Sequence, residues 1–215
     1  MRKKAGSKKR NDERLFFWIA GVLTFVFGAG FCFLIVAMSS QEKNSGIKPD
    51  HPRQLIGFAL TDRTGRTVTR SELDGKFLVV DFLFTSCTLT CREVNHHMAE
   101  IQQLTTNQPD VRLVSLTVDP RTDTVPVLAK YGESYGADTN RWLLLTGEKN
   151  TLYDLISTSF LFQDADDPFS YMPGNFAHTE RIAVVDSRGN VQAYFDGLRE
   201  DAADSVIAEI ARLRK

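Results

Sequence analysis

The sequence has almost no net charge: 26 Lys and Arg against 27 Asp and Glu leave −1. Bulk charge therefore gives no reason to expect nucleic-acid binding. There is no internal repeat and no low-complexity tract. Cysteine and histidine are scarce, with three of one and four of the other in 215 residues. So few cysteines exclude a dense disulfide framework. The C-x-x-C spacing usual in thiol redox proteins is also missing. Any site built from thiols or imidazoles must come from Cys32, Cys87, Cys91, His51, His96, His97 and His178.

What the front of the chain does have is an uncharged run, Leu15 to Met38. A bilayer core needs about 20 apolar residues of helix, and this run supplies them. Gly21, Gly28 and Gly30 are compatible with a membrane helix. The preceding residues are strongly basic (Arg2, Lys3, Lys4, Lys8, Lys9, Arg10), which favours the cytoplasmic side for residues 1–14 and the opposite face for the rest. A cleaved signal peptide competes, with small Ala37 and Ser39 near the end of the run; the run exceeds the roughly 7–15 residues of a signal h-region. The reading adopted is an uncleaved anchor over 15–38 in a bacterial inner membrane, with the C-terminal domain in the periplasm or on the outer face. Cys32 then lies in the span as an apolar filler, and Cys87 and Cys91 form the domain's one cysteine pair, in a compartment where disulfides persist.

Residues 39–54 are polar with Gly46, Pro49 and Pro52 and read as a flexible tether. Residues 55–215 suffice to bury a core without disulfides. "LIGFALTD" and "RTGRTVT" read as short strands around a turn holding Asp62 and Gly65. Lys76 to Phe84 is nearly all apolar, as for a central strand covered on both faces. Val94, Met98, Ile101 and Leu104 predict a helix from Cys91. Val111–Val118 predicts a second buried strand, Val125–Tyr135 a helix with Val127, Leu128 and Tyr131 on one stripe, "RWLLLTG" a short strand and Lys149–Ser157 a helix. From Phe160 to Ala177 the pattern lapses into an Asp-, Pro- and Gly-rich loop. "HTERIAVVD" and "NVQAYFDG" predict a hairpin, and Asp201–Lys215 an amphipathic helix with Val206, Ile207, Ile210 and Leu213 inward. The alternation predicts an α/β fold, a thioredoxin-like sandwich whose central mixed sheet is flanked by helices, preceded by one transmembrane helix.

Cys87 and Cys91 fall between the long buried strand and the next helix. The helix N-terminus favours negative charge, which predicts easier loss of the thiol proton. The residues leave four readings open: a redox pair, a metal clamp suited to copper(I) or zinc, a structural disulfide, or inert buried thiols. His51 lies in the tether; His96 and His97 point in different directions from the helix and read as surface residues, with either open as a ligand; His178 stands where the long loop meets an apolar strand, either as a third ligand or as a strand-end residue. Asp119, before Pro120, reads as a turn or helix cap.

Taken together, the basic head and span, "IGFALTDRTGRTVTRSELDGKFLVVDFLFTSCTLTC", "LTVDPRTDT" (116–124) and "FAHTERIAVVDSRGNV" (176–191) resemble the Sco/SenC family of membrane-anchored copper proteins. The resemblance implies a thioredoxin-like domain that binds one copper ion, Cu(I) or Cu(II), through Cys87, Cys91 and His178. It implies a chaperone or assembly role at the binuclear copper centre of cytochrome c oxidase, with the copper-bearing subunit of that enzyme as partner and a thioredoxin-like reductant as a second. The motif departs from the family pattern: Thr88 and Arg92 stand where proline follows each cysteine, and Ala177 where aspartate precedes the histidine. Loss of proline is expected to loosen the loop, and Arg92 to favour thiolates while opposing a cation. Two rival functions follow: a thiol–disulfide oxidoreductase in which Cys87 attacks and Cys91 resolves, and an interaction domain with an inert disulfide. A peroxidase reading rests on Thr88 three residues before Cys91, but Phe84 stands where that motif needs proline.

Overall fold

A strand buried on both faces must be paired on both edges, and the apolar run beginning at Lys76 is placed accordingly. The computed structural model describes residues 46–49, 51, 53–87, 90–160 and 180–215. Over these the chain forms β1 (Arg53–Gln54), β2 (Ala59–Asp62), β3 (Thr67–Thr69), a 3-10 turn (Arg70–Leu73), β4 (Phe77–Leu83), α1 (Thr90–Leu104), β5 (Val111–Thr117), α2 (Val125–Ser134), β6 (Trp142–Thr146), α3 (Lys149–Phe160), β7 (Arg181–Val185), β8 (Asn190–Asp196) and α4 (Ala202–Leu213). The strands make one sheet in the order β1-β8-β7-β4-β5-β6-β2-β3. All of β4 is buried. It runs parallel to β5, with Asp81 opposite Ser115 and Leu83 opposite Thr117, and antiparallel to β7, with Val80 opposite Ala183. β6 extends the parallel centre, while β2 and β8 join antiparallel at the flanks. This is the expected thioredoxin-like mixed sheet with helices on both faces.

Alternation along β4 feeds two cores. Leu78, Val80 and Phe82 face Leu152, Leu155, Ile156 and Phe160 of α3. Phe77, Val79 and Leu83 join Val94, Met98 and Ile101 of α1, Leu128 of α2 and Val206 and Ile210 of α4. Fully burying one such aliphatic side chain stabilises by roughly 1.5–3 kcal/mol, so the two faces hold the sheet as a rigid platform.

Several expectations need adjustment. Leu104 is 48% exposed. The inward stripe continues instead to Thr105, wholly buried, whose Oγ1 donates to the Ile101 carbonyl at 2.7 Å. α3 runs on to Phe160, because that ring is buried edge-on against Phe82 with centroids 5.4 Å apart. Within the segment read as a tether, Ile47 bridges to Tyr194 and Arg53–Gln54 pairs with β8. Among the described residues no helix is long and apolar enough to cross a membrane; the expected span over 15–38 lies outside them, as do Thr88, Ala177 and His178.

Candidate metal centre

Parallel strands end together, and the loops beyond their carboxyl ends form the natural site of an open α/β sheet. The cysteine loop leaves β4 at Phe84, whose carbonyl accepts a hydrogen bond from Cys87 N at 3.1 Å. α1 begins at Thr90, so Cys87 sits on the loop and Cys91 on the first helical turn. Both are half-buried and unbridged, and the two side chains share a hydrogen bond. The Cys91 carbonyl accepts from Asn95 Nδ2 at 2.7 Å, one turn further along.

The helix N-terminus predicts a depressed thiol pKa, and the site does the reverse. Burial pushes Cys91 up to about 12, the hydrogen bond and charge of Cys87 add to this, and the charge of Asp81 contributes; a backbone hydrogen bond at Phe84 only partly opposes them. A half-buried dithiol of this kind resists becoming two bare thiolates, because like charges in a poorly solvated place repel. A bound cation removes that penalty. Arg92 is exposed, so its charge is spent largely on solvent.

Two acidic residues that sequence reading does not single out shape the site. Asp81 is 0% exposed and lies on the α1 face of β4. Burial pushes its carboxyl up to about 7, against a hydrogen bond from Ser115. Ser115 Oγ also accepts from Trp142 Nε1 at 2.8 Å, while Asp81 Oδ2 has no hydrogen-bond partner. The signal for it is in the sequence, since one carboxylate interrupts the apolar run "KFLVVDFLF". The second is Asp123, also 0% exposed. Its Oδ1 accepts Thr85 N at 3.1 Å and the Thr85 hydroxyl, and its Oδ2 accepts the Thr117 hydroxyl. Asp119 serves the turn through its backbone: its carbonyl accepts Thr122 N and Asp123 N, and its own N–H donates to Thr117 Oγ1 at 3.0 Å; the helix that follows is capped at Thr124.

The histidines divide. His51 is exposed. His96 is exposed against the Tyr135 ring, 5.6 Å between centroids. His97 is buried rather than on the surface, between Glu100 at 3.5 Å and Glu93 at 3.9 Å. Neither α1 histidine joins the thiols in a ligand set: among the described residues no three His, Cys, Asp or Glu side chains are grouped to hold a metal ion. β7 runs antiparallel beside β4 from Arg181, so its first residues lie at the sheet end from which the cysteine loop departs.

Comparison with known proteins agrees with this architecture. The family model described as SCO1/SenC matches residues 48–215. A Bacillus subtilis (strain 168) protein, "SCO1 protein homolog", is 24% identical over 183 residues, 85% of this chain and 92% of that one. The crystal structure of a SCO1/SenC family lipoprotein from Bacillus anthracis superposes with a TM-score of 0.65 at 25% identity, covering 77% of this chain and 99% of the other. Bradyrhizobium japonicum ScoI, solved with copper bound, superposes at 0.56 with 22% identity, covering 78% and 99%; at that identity the likeness is one of fold.

Proposed function

Since the chain belongs to the SCO1/SenC family, we propose that it is a membrane-anchored copper chaperone serving assembly of the binuclear copper centre of cytochrome c oxidase, holding one copper ion through Cys87, Cys91 and His178. The observation that carries the reading is the pair of half-buried, unbridged thiols in mutual hydrogen-bond contact at the carboxyl end of the parallel strands. Thiolate sulfur is a soft donor matched to copper(I). With Cys91 held protonated up to about 12, loading at neutral pH displaces thiol protons, and affinity rises with pH. His178 precedes Arg181, the first residue of β7, by three positions, so at most about 11 Å of chain separates it from that strand. Its neutral imidazole completes a three-coordinate site that leaves an approach open for an incoming cysteine. Transfer then proceeds by stepwise ligand exchange with no free ion. A span over 15–38 would hold the domain on the outer face of the membrane, close to the copper-bearing subunit, and raise its effective concentration there.

Thiol–disulfide exchange is the second reading, and the contact between the two thiols favours it. Oxidation to a disulfide removes two ligands, so copper loading and thiol state are coupled. A thioredoxin-like reductant would restore the dithiol.

The full chain, reduced anaerobically and given one equivalent of copper(I), is expected to retain the ion. Cys87→Ser or Cys91→Ser is expected to abolish retention, and His178→Ala to weaken it greatly while exchange with a small disulfide persists. Undiminished retention in His178→Ala removes the histidine from the site; absence of retention in the wild type removes copper from the function.

A further inference from the structure

We propose that Asp123 is a positioning residue for the cysteine pair, fixing the stem from which Cys87 projects. The proposal rests on the reading of Cys87 and Cys91 as copper ligands. The two sulfurs are held by different means. Cys91 belongs to α1 and is fixed by the helix, with its carbonyl tied to Asn95. Cys87 precedes the helix, where its side chain meets Cys91. The motif offers it no proline, since Thr88 and Arg92 follow the cysteines. The stem that leads to it is restrained from across the sheet. Leu83 O accepts Val118 N at 2.9 Å, which closes the end of the strand pair. One step further, Thr85 is gripped twice by Asp123 Oδ1, through its N–H at 3.1 Å and its hydroxyl. Cys87 lies two residues on, its N–H returned to Phe84 O at 3.1 Å.

Asp123 is itself immobilised. Its N–H donates to Asp119 O at 2.9 Å, and its Oδ2 takes the Thr117 hydroxyl, which also receives Asp119 N. A carboxylate wholly removed from water is costly unless donors converge on it. Here three do, and two of them come from one residue of the cysteine stem. The grip on Thr85 ties the approach to Cys87 to a segment 38 residues away in sequence.

The test uses the full chain, reduced anaerobically in detergent. Copper(I) affinity is read by competition with a chromophoric chelator, and the midpoint of the Cys87/Cys91 dithiol–disulfide couple in thiol redox buffers. Thr85→Val deletes one donor to Asp123; Asp123→Ala deletes the acceptor; Asp123→Asn keeps an oxygen for Thr85. Thr105→Val is the control, a wholly buried hydroxyl bonded to Ile101 O and Arg141 on α1's far end. Removing groups that orient ligands typically lowers metal affinity by about 10–100-fold. Thr85→Val and Asp123→Ala are expected to lose about tenfold or more on that scale. They are also expected to disfavour the disulfide, since looser thiols lose more freedom on bridging. Asp123→Asn recovers most of the affinity, and Thr105→Val leaves affinity and midpoint unchanged despite a lower Tm. Equal affinity and midpoint in Thr85→Val, Thr105→Val and wild type overturns the proposal. Should Asp123→Ala fail to fold, the Thr85→Val contrast decides. Should the wild type bind no copper(I), the copper reading fails and positioning is judged on the midpoint contrast alone.

Discussion

The hairpin turns at Asp62 and Asp186 and the loop at Cys87 are organised by the same device, a buried carboxylate accepting backbone N–H groups, yet they differ in reach. Asp62 Oδ1 accepts Thr64 N at 2.8 Å and Arg66 N at 3.0 Å. Asp186 Oδ1 accepts Arg188 N and Asn190 N, both at 2.9 Å. Each turn is closed by residues within four positions, and Gly65 and Gly189 supply the positive φ that completes it. At the cysteine end the carboxylate and the stem it holds come from separate segments of the chain. The carboxylate bonds of the turns are thus local and serve the fold. The cysteine loop depends on the assembled sheet, so a site there forms only once β4, β5 and the loop before α2 have come together.

Two buried carboxyl groups, Asp81 of β4 and Asp62 of the first turn, are shifted in opposite senses, which gives the sharpest way to probe the contrast between core and turn. Burial pushes Asp81 up to about 7, against the Ser115 hydrogen bond, whereas its reference value is near 3.8. The native state then holds a proton that the unfolded chain has released. The stability Asp81 contributes is complete below the unfolded value and is lost as pH rises through the folded one. Between pH 4 and 8 this costs the wild type on the order of a few kcal/mol. Asp81→Asn, neutral throughout, is expected to flatten that decline and to be more stable than wild type at pH 8. Urea denaturation at pH 5 and pH 8 measures it; parallel slopes for the two proteins would mean that Asp81 is ionised in the native core.

For Asp62 the sign reverses. Burial would raise its pKa, but the hydrogen bonds from Thr64 and Arg66 outweigh burial and hold the carboxyl below its ordinary value. Its contribution is present above the unfolded value and lost as pH falls through the folded one. Asp62→Ala strands the donors of a closed turn, which costs about 1–3 kcal/mol. The measurement is denaturation at pH 7 beside copper(I) affinity, with stability lowered and affinity untouched. A matching loss of affinity would show that the turns and the cysteine end are not separable.

The same contrast governs what the sequence discloses. The turn at Asp62 and Gly65, the hairpin around Ser187 to Asn190 and the buried strand before Cys87 are legible because spacing of 2 to 4 residues encodes them. Leu104 misleads because a helical stripe can continue through a threonine that satisfies its own hydroxyl. The elevated pKa of Cys91 is not legible, since a helix start can be read locally while the burial of its side chain in the folded domain cannot. Asp123 is missed for the same reason: within "VDPRTDT" nothing marks the later aspartate as the one that turns inward to Thr85, and Asp119, beside the proline, draws the eye instead.

Arg92 offers the smallest effect and tests whether charge near the thiols acts at all. It follows Cys91 directly, where the family pattern has proline, but its side chain is exposed. A solvated charge interacts weakly with its neighbours, about 0.2–1 kcal/mol in favourable pairs, and is screened beyond roughly 10 Å at 0.1 M salt. If the guanidinium opposes a bound cation, Arg92→Ala tightens copper(I) by no more than about fivefold, and the gain shrinks as salt is raised. The readout is the chelator competition at two salt concentrations. A larger change that ignores salt would assign Arg92 a structural part in the first turn of α1. The loop would then owe its shape to a residue next to the ligand, and the distant grip of Asp123 would share its role.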